Sequence, residues 1–475
     1  MVKPHVVILG AGPGGLGAAF QLVRRKQAQV TVLERSNAVG GNAGSFELAG
    51  MRVDYGSHRL HPACDAEVLR DIREMLNGDL LDMPRHGRIR LRGHWIHFPL
   101  KPLDLALKLP PSFAFGVVTD FIGKVLPLNS NGAGSETFSS ILEKGLGRTI
   151  CRDFYFPYAR KLWGVEPEEL SATQARRRVS ADSLTKMVRK VLSAVPGFKP
   201  PGSGRFFYPR QGYGQISEAY YQAARQMGAT FHLNANVVAV EVKGNGQSVV
   251  SYQQNGQTYS ATADYIWSTI PITVLANLIT PPPPSDYLLS AKAIDYRGMI
   301  LIYLVLGEDQ FTEYDAHYFP EKHIRISRLS EPKNYSASNE PRNRTVLCAE
   351  LPCSPDDLEW KMSDEQLGIL MSDALSSAGL PVKAQILQVA SRRLRQAYPI
   401  YLQGYERHFN QLDNWLSGID GLLTFGRQGL FAHDNTHHAL YMAYAAVNCL
   451  NDEGHFDHEQ WQRYRQIFET HVVED

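Results

Sequence analysis

The stretch HVVILGAGPGGLGAAF, residues 5–20, restricts the fold more than any other part of the chain. Its first residues form an apolar run, as in a strand buried on both faces, and a helical pattern, PGGLGAAFQLVRRK, follows at once. Between them Gly10, Gly12 and Gly15 fall into a G-x-G-x-x-G spacing, with Gly14 inside it. That spacing permits a tight turn, close approach of a pyrophosphate and close helix packing. The helix start also presents unpaired N–H groups and a positive partial charge to an anion. A glycine turn of purely structural purpose is the competing reading. Glu34 decides between them: it ends a second strand, QVTVLE, 19 residues beyond Gly15, where a carboxylate can accept hydrogen bonds from a ribose diol. A βαβ unit binding a dinucleotide is therefore expected.

At 475 residues the chain exceeds one ordinary core, so two or three domains are expected. Lys and Arg number 49 against 48 Asp and Glu, a formal net charge of +1 that supplies no global field for nucleic acid or an anionic membrane. No nucleic-acid partner is expected, and anion recognition has to be local. The five cysteines form no CxxC pair and no even framework, which suits a reducing, cytoplasmic setting. The N-terminal apolar run is too short for a signal peptide, and the longest mid-chain run, LPPSFAFGVVT from Leu109, is too short to cross a bilayer. Residues 103–128 read as a buried helix, with peripheral lipid contact as the other reading.

Further along, residues 102–200 carry mainly helical patterns with Pro and Gly punctuation. The stretch ATFHLNANVVAVEVKGNGQSVVSYQQNGQTYSATADYIWSTIP alternates around NG and GNG turn signals and predicts a small sheet. TPPPPSDY, 280–287, marks a boundary before a second sheet containing GMILIYLVLG and TVLCAELP. NTHHALYMAYAAVNCLND predicts a buried helix capped at Asn435.

The segment after Glu34, ERSNAVGGNAGSFELAGMRVDYGSHRLHP, does not continue into another βαβ repeat. Its pattern, E-R-x4-G-G-x3-S and then D-x-G-x-H, resembles the FAD-binding signature of the amine oxidase and protoporphyrinogen oxidase superfamily. Within it, the patches at 154–179, 207–241, 293–306 and 422–447 resemble UDP-galactopyranose mutase-like flavoproteins, most specifically through Tyr158-x2-Lys161-Leu-Trp163-Gly164. The resemblance implies an α/β fold with a Rossmann-like FAD-binding domain of the GR2 type, a helical insert and a mixed-sheet substrate domain. The expected divisions are 1–100, 205–272 and 408–475 for FAD, 101–204 for the helical cap and 273–407 for the sheet domain.

The resemblance also implies site residues. FAD is expected against Gly10, Gly12, Gly14, Gly15, Glu34, Arg35, Gly41, Asn42 and Val237. Gly56, Ser57 and His58 are expected at the flavin ring, where backbone N–H groups and an imidazole stabilise negative charge. Gly426, Arg427, Asn435, Thr436 and His437 return the chain to the flavin. His58, Arg59, Arg297 and His433 are the expected catalytic groups. Arg297 is the best candidate for a diphosphate, since a guanidinium fork suits phosphate oxygens. Trp95, Tyr158, Trp163, Tyr208 and Phe431 are the expected substrate contacts, with ordinary packing as the alternative for the aromatic residues. His433 and His437 stand four apart, but the cap-like Asp434–Thr436 argues for ring-flanking histidines, and no metal is expected.

Two activities follow from the resemblance, both on a small-molecule substrate. One is a FAD enzyme that uses reduced flavin on a glycosyl substrate bearing a nucleotide or lipid diphosphate, as mutases do. The other is an oxidase or dehydrogenase that passes hydride from a small organic substrate to FAD. The chain departs from the mutases where Phe431, His433 and Asn435 replace two tyrosines and an aspartate, which favours the second, while the Trp163 motif and Arg297 favour the first, which is the leading expectation. Oligomeric state is left open.

Overall fold

The computed structural model describes residues 3–99, 104, 107–125, 136–178, 204–243 and 247–473. The GNG turn at 244–246 and residues 179–203 of the expected cap lie outside the described residues.

Around the glycine turn is a five-stranded sheet in the order Leu422–Thr424, Tyr265–Ser268, His5–Leu9, Gln29–Leu33, Thr230–His232, every pair parallel. A parallel sheet is covered on both faces, and the central strand shows it. Val6 and Ile8 pack with the helices Pro13–Arg24, Gln215–Gln226 and Thr436–Asn448, while Val7 and Leu9 pack toward a four-stranded sheet on the other side. All four are fully buried. Each contributes roughly 1.5–3 kcal/mol from lost apolar exposure.

The alternating stretch at 229–271 does not stay in one sheet. Its first and last strands, Thr230–His232 and Tyr265–Ser268, join the parallel sheet, and only Asn236–Glu241, Ser248–Gln254 and Gln257–Ala263 form the small sheet, with Ile279–Thr280 beside them. The reason lies in YIWS, buried nearly throughout, which fits the two-sided interior of the parallel sheet better than a half-exposed one.

A second, seven-stranded sheet runs Ile386–Ile400, Asp295–Leu306, Thr345–Cys353, Arg328–Ser330, Ala316–Tyr318, Gly87–Leu91, His94–Phe98. The long strand Asp295–Leu306 sends Met299, Leu301, Tyr303 and Val305 toward the helices Phe138–Leu146 and Phe156–Trp163. Ile300, Ile302, Leu304 and Leu306 pack toward the helix Asp364–Ser377. The hairpin at 87–98 pairs into this sheet, so it sits with the 273–407 strands and not with the dinucleotide sheet.

The helix Pro111–Val125, expected to be buried, is only half covered. Phe113 is 5% exposed, but Phe115, Val118 and Ile122, at helical spacing, are 72%, 53% and 50% exposed. No helix among the described residues is long and apolar enough to cross a membrane.

Candidate flavin site

The glycine turn is shaped by backbone contact. Gly10 has φ +97°, and a Cβ on Gly15 would stand 2.0 Å from the Gly10 carbonyl oxygen, so neither position accepts a side chain. A Cβ on Gly12 would meet nothing within 4 Å, which means the helix start opens onto free space. Gly12 caps the helix without any side-chain hydrogen bond, and Pro13 occupies its first turn. The amides of the first turn therefore face that space, as an anion requires.

Glu34, 8% exposed, accepts hydrogen bonds from the amides of Ala11 at 2.8 Å and Ser36 at 2.8 Å, which fixes its carboxylate beside the turn. Arg35 is exposed. Gly41, at φ +53°, places its would-be Cβ 3.6 Å from the Cα of Gly12, and the Gly40 amide donates to Ala11 O, so the second glycine pair closes over the first. Asn42 turns away to donate to Gln396 O at 3.3 Å. Val237 follows Asn234 and Ala235, whose amides donate to Ser36 O and Glu34 O, and this brings it to the Glu34 side. These residues make a cradle that fits a dinucleotide: uncapped amides, room only where glycines leave it, and a carboxylate at the strand end.

The turn at 54–59 is held from below by a buried network. Asp54 accepts from Ser45 Oγ (2.6 Å), Tyr208 OH (2.6 Å) and the Tyr213 amide (2.8 Å), and burial raises its carboxyl above the usual carboxylate range. Gly56, at φ +96°, donates its amide to Asp54 O, and Ser57 donates its amide to Glu350 Oε1 at 3.0 Å. Two of the three amides expected at the flavin ring are thus committed inside the protein. His58 stacks on Tyr213 with centroids 5.2 Å apart, and its Nε2–H donates to Tyr55 O at 2.9 Å. Burial holds the imidazole below the usual histidine range. It is therefore neutral, with the Nδ1 lone pair available, and acts as a polar neutral group instead of a cation.

Arg59 is a support. It is paired with Asp315 at 3.3 Å, donates to Tyr318 OH and Tyr335 OH, and lies over Phe206, with its side chain only 9% exposed. Tyr208 is likewise turned into the network, stacked on Tyr335. Gly426 (φ +80°) lets the chain pass Thr269, and Arg427 donates to the carbonyls of His433, Asp434 and Ala397, which ties the returning segment to the second sheet. Asn435 caps the last long helix in a capping box with His438, and Thr436 hydrogen-bonds Tyr213, which joins that helix start to the His58 stack. His437 lies beside His61, their centroids 6.4 Å apart.

Beside His58 stands a wall that residue patterns had not singled out. Arg328 pairs with Glu350 through Nε at 3.0 Å and Nη2 at 2.8 Å, with Tyr158, Tyr318 and Tyr398 within its electrostatic reach. Tyr158, His58 and Arg328 are enclosed by protein, yet each keeps some accessible surface. Of the expected substrate contacts, Tyr158 alone faces this wall. Trp95 packs on the other face of the sheet against Arg88, His317 and Phe319. Trp163 is a core residue against Phe138 and His433, and Phe431 is 1% exposed among Tyr296, Tyr401 and Tyr405. His433 is buried against Tyr401 and Tyr398. Arg297 donates to Ser354 Oγ at 2.6 Å and Pro352 O, beside Asp357, and rests on Gly164 at the helix end. It joins helix to sheet, and the structure does not bring it to the His58 turn.

Comparison with known proteins agrees with this geometry. Residues 13–409 match the model of the flavin-containing amine oxidoreductase family. An L-amino-acid oxidase of Notechis scutatus scutatus is 28% identical over 333 residues, 66% of this chain and 59% of that protein. The chain thus spans about three-fifths of the length of the curated relatives it matches. Among solved structures, a reduced UDP-galactopyranose mutase superposes with TM-score 0.82 over 99% of this chain and 100% of its own, at 19% identity. Cyclohexylamine oxidase from Brevibacterium oxydans IH-35A gives 0.65 over 94% and 98%, at 16% identity. These likenesses establish a common fold. The chain belongs to the flavin-containing amine oxidoreductase family, as a flavoenzyme whose cofactor is FAD.

Proposed function

We propose that this enzyme acts on an oxygen-rich glycosyl substrate carrying a nucleotide or lipid diphosphate. The observation that carries the reading is the wall of Tyr158, Arg328 and Tyr398 with Glu350 beside His58: phenols, a guanidinium and a carboxylate suit a polyhydroxylated ligand better than an apolar amine. Bound FAD supplies the nucleophilic or electron-accepting centre. The chain's own residues bind and orient. Glu350 fixes both the Ser57 amide and Arg328, neutral His58 offers Nδ1 as an acceptor, and the phenols donate to sugar hydroxyls. The exposed face of Phe115, Val118 and Ile122 suits a lipid-linked form of the diphosphate. The five free, buried cysteines suit a cytoplasmic setting.

A second reading, an oxidase removing hydride from an amine or amino acid, draws support from the L-amino-acid oxidases among the sequence relatives. One experiment separates the two. Dithionite-reduced enzyme is offered a panel of nucleotide-linked hexoses and scored by chromatography for ring isomers, while oxidised enzyme is offered amines and L-amino acids without oxygen and watched for loss of flavin absorbance. Isomerisation by reduced enzyme alone supports the glycosyl reading; bleaching by an amine with no isomerisation overturns it.

A further inference from the structure

Behind the start of the helix Thr436–Asn448, the chain gathers four imidazoles and a carboxylate, of which Asp434, His438 and His471 are not among the residues expected at the flavin. A cavity of about 240 Å³ is lined by His61, His437, His438 and His471. Asp434, 1% exposed, lies against two of them. Its Oδ2 accepts from Nδ1 of His471 at 3.2 Å, and its Oδ1, which accepts no hydrogen bond, stands 3.9 Å from Nδ1 of His438. The three candidate donor atoms all lie within 4.8 Å of one another.

These separations place the three groups within closing distance of one ion. Donors roughly 2.0–2.1 Å from a tetrahedral zinc ion sit about 3.3 Å apart; Oδ2 of Asp434 and Nδ1 of His471 have that spacing, and His438, whose Nδ1 is 3.9 Å from the other oxygen, has to close on them. Nδ1 of His438 accepts the Asn435 amide at 3.3 Å, so it carries no proton, and a bound ion would displace that amide from its lone pair. On His471 the proton shared with Asp434 occupies the place a metal would take. Two imidazole nitrogens and one carboxylate oxygen suit a borderline transition ion; calcium and magnesium ask for more oxygens. The cavity gives an entry path and room for a water ligand. Arg177, 3.9 Å from Asp434 Oδ1, is the contact a bound ion would replace.

We propose that Asp434, His438 and His471 form a binding site for a divalent transition-metal ion of the zinc class, which ties the C-terminal segment around His471 to the turn that precedes the last long helix. The site is independent of whether the substrate is a sugar or an amine. Untagged holoenzyme stripped with chelator should take up one equivalent of zinc in competition with a chromophoric chelator. His471→Ala and His438→Gln should each weaken uptake by at least about 100-fold with the flavin spectrum retained, while His458→Ala on the surface leaves it unchanged. Absence of a saturable equivalent, or variants that bind zinc like the parent, overturns the proposal. If either variant loses its flavin, cobalt(II) in the parent protein decides: ligand-field bands of a tetrahedral site support the assignment, and an octahedral aquo-ion spectrum refutes it.

Discussion

The glycine turn at 10–15 and the polar wall around Arg328 sit on different sheets and are held by opposite means. The turn is kept open by missing side chains. Gly15 rests on the carbonyl of Gly10, and Glu34, whose carboxylate is fixed beside the turn, ends the same βαβ unit. The wall is made of side chains from distant segments: His58, Tyr158, Tyr318, Arg328, Glu350 and Tyr398, brought together by the seven-stranded sheet, the helix Phe156–Trp163 and the turn at 54–59. The first should fail when a methyl group is added. The second should fail when charge is unpaired or protons are moved.

The largest effect is expected at Gly15. In Gly15→Ala the added carbon stands 2.0 Å from a backbone oxygen, with no rotamer to relieve it, so the cost exceeds the roughly 1–3 kcal/mol of ordinary overpacking. The variant should purify colourless or not at all. Gly12→Ala is the sharper partner, because its methyl meets only the space reserved for the cofactor. It should keep parental circular dichroism and lose flavin occupancy. A Gly12→Ala protein with full yellow absorbance would break the assignment of that space to the pyrophosphate.

This contrast also explains what could be read without the structure. The glycine spacing, Glu34 and the apolar central strand are local, so the dinucleotide half and the flavin signature were legible from periodicity and spacing. The wall was not, because Arg328 and Glu350 lie 22 positions apart and meet only through strand pairing between Arg328–Ser330 and Thr345–Cys353. A signal existed in TVLCAELPC, where one carboxylate interrupts a wholly buried strand and so demands a partner. Arg297 illustrates the opposite failure. A motif match pointed to a phosphate, but its guanidinium closes on Ser354 and Pro352.

Next in size is Glu350→Ala. Removing one partner of a buried pair leaves Arg328 charged and uncompensated, a loss of about 3 kcal/mol. Ser57 also loses its acceptor, so the flavin spectrum should shift along with the urea midpoint. A stability loss with an unchanged flavin spectrum would separate the wall from the ring.

A smaller effect belongs to His317 in the same sheet. Burial first, and Arg88 second, hold its imidazole well below the usual histidine range. The unfolded chain binds that proton near pH 6.5 and the folded chain does not, so this contribution is intact above about pH 6.5 and falls below it by about 1.4 kcal/mol per pH unit. His317→Phe should flatten the acid limb of a stability profile, with a difference of about 1.4 kcal/mol at pH 5.5 in urea titrations. Superimposable limbs would show that the second sheet is not where acid acts.

The smallest effect should be the most specific. Burial pushes the Tyr158 hydroxyl above its ordinary range, so it stays a neutral donor at any working pH. Tyr158→Phe removes one hydrogen bond to substrate, about 1 kcal/mol, which is about fivefold in KM if the bond is equally strong in ground and transition states. Flavin absorbance and kcat should not move, since no other part of the wall depends on that oxygen for its pairing: Arg328 keeps Glu350. The measurement uses whichever substrate the hexose and amine panels identify. A changed flavin spectrum at constant KM would transfer Tyr158 to the cofactor side and leave the substrate wall to Arg328, Tyr318 and Tyr398. A rise in KM confined to hexoses would tie the helical insert to recognition of the sugar.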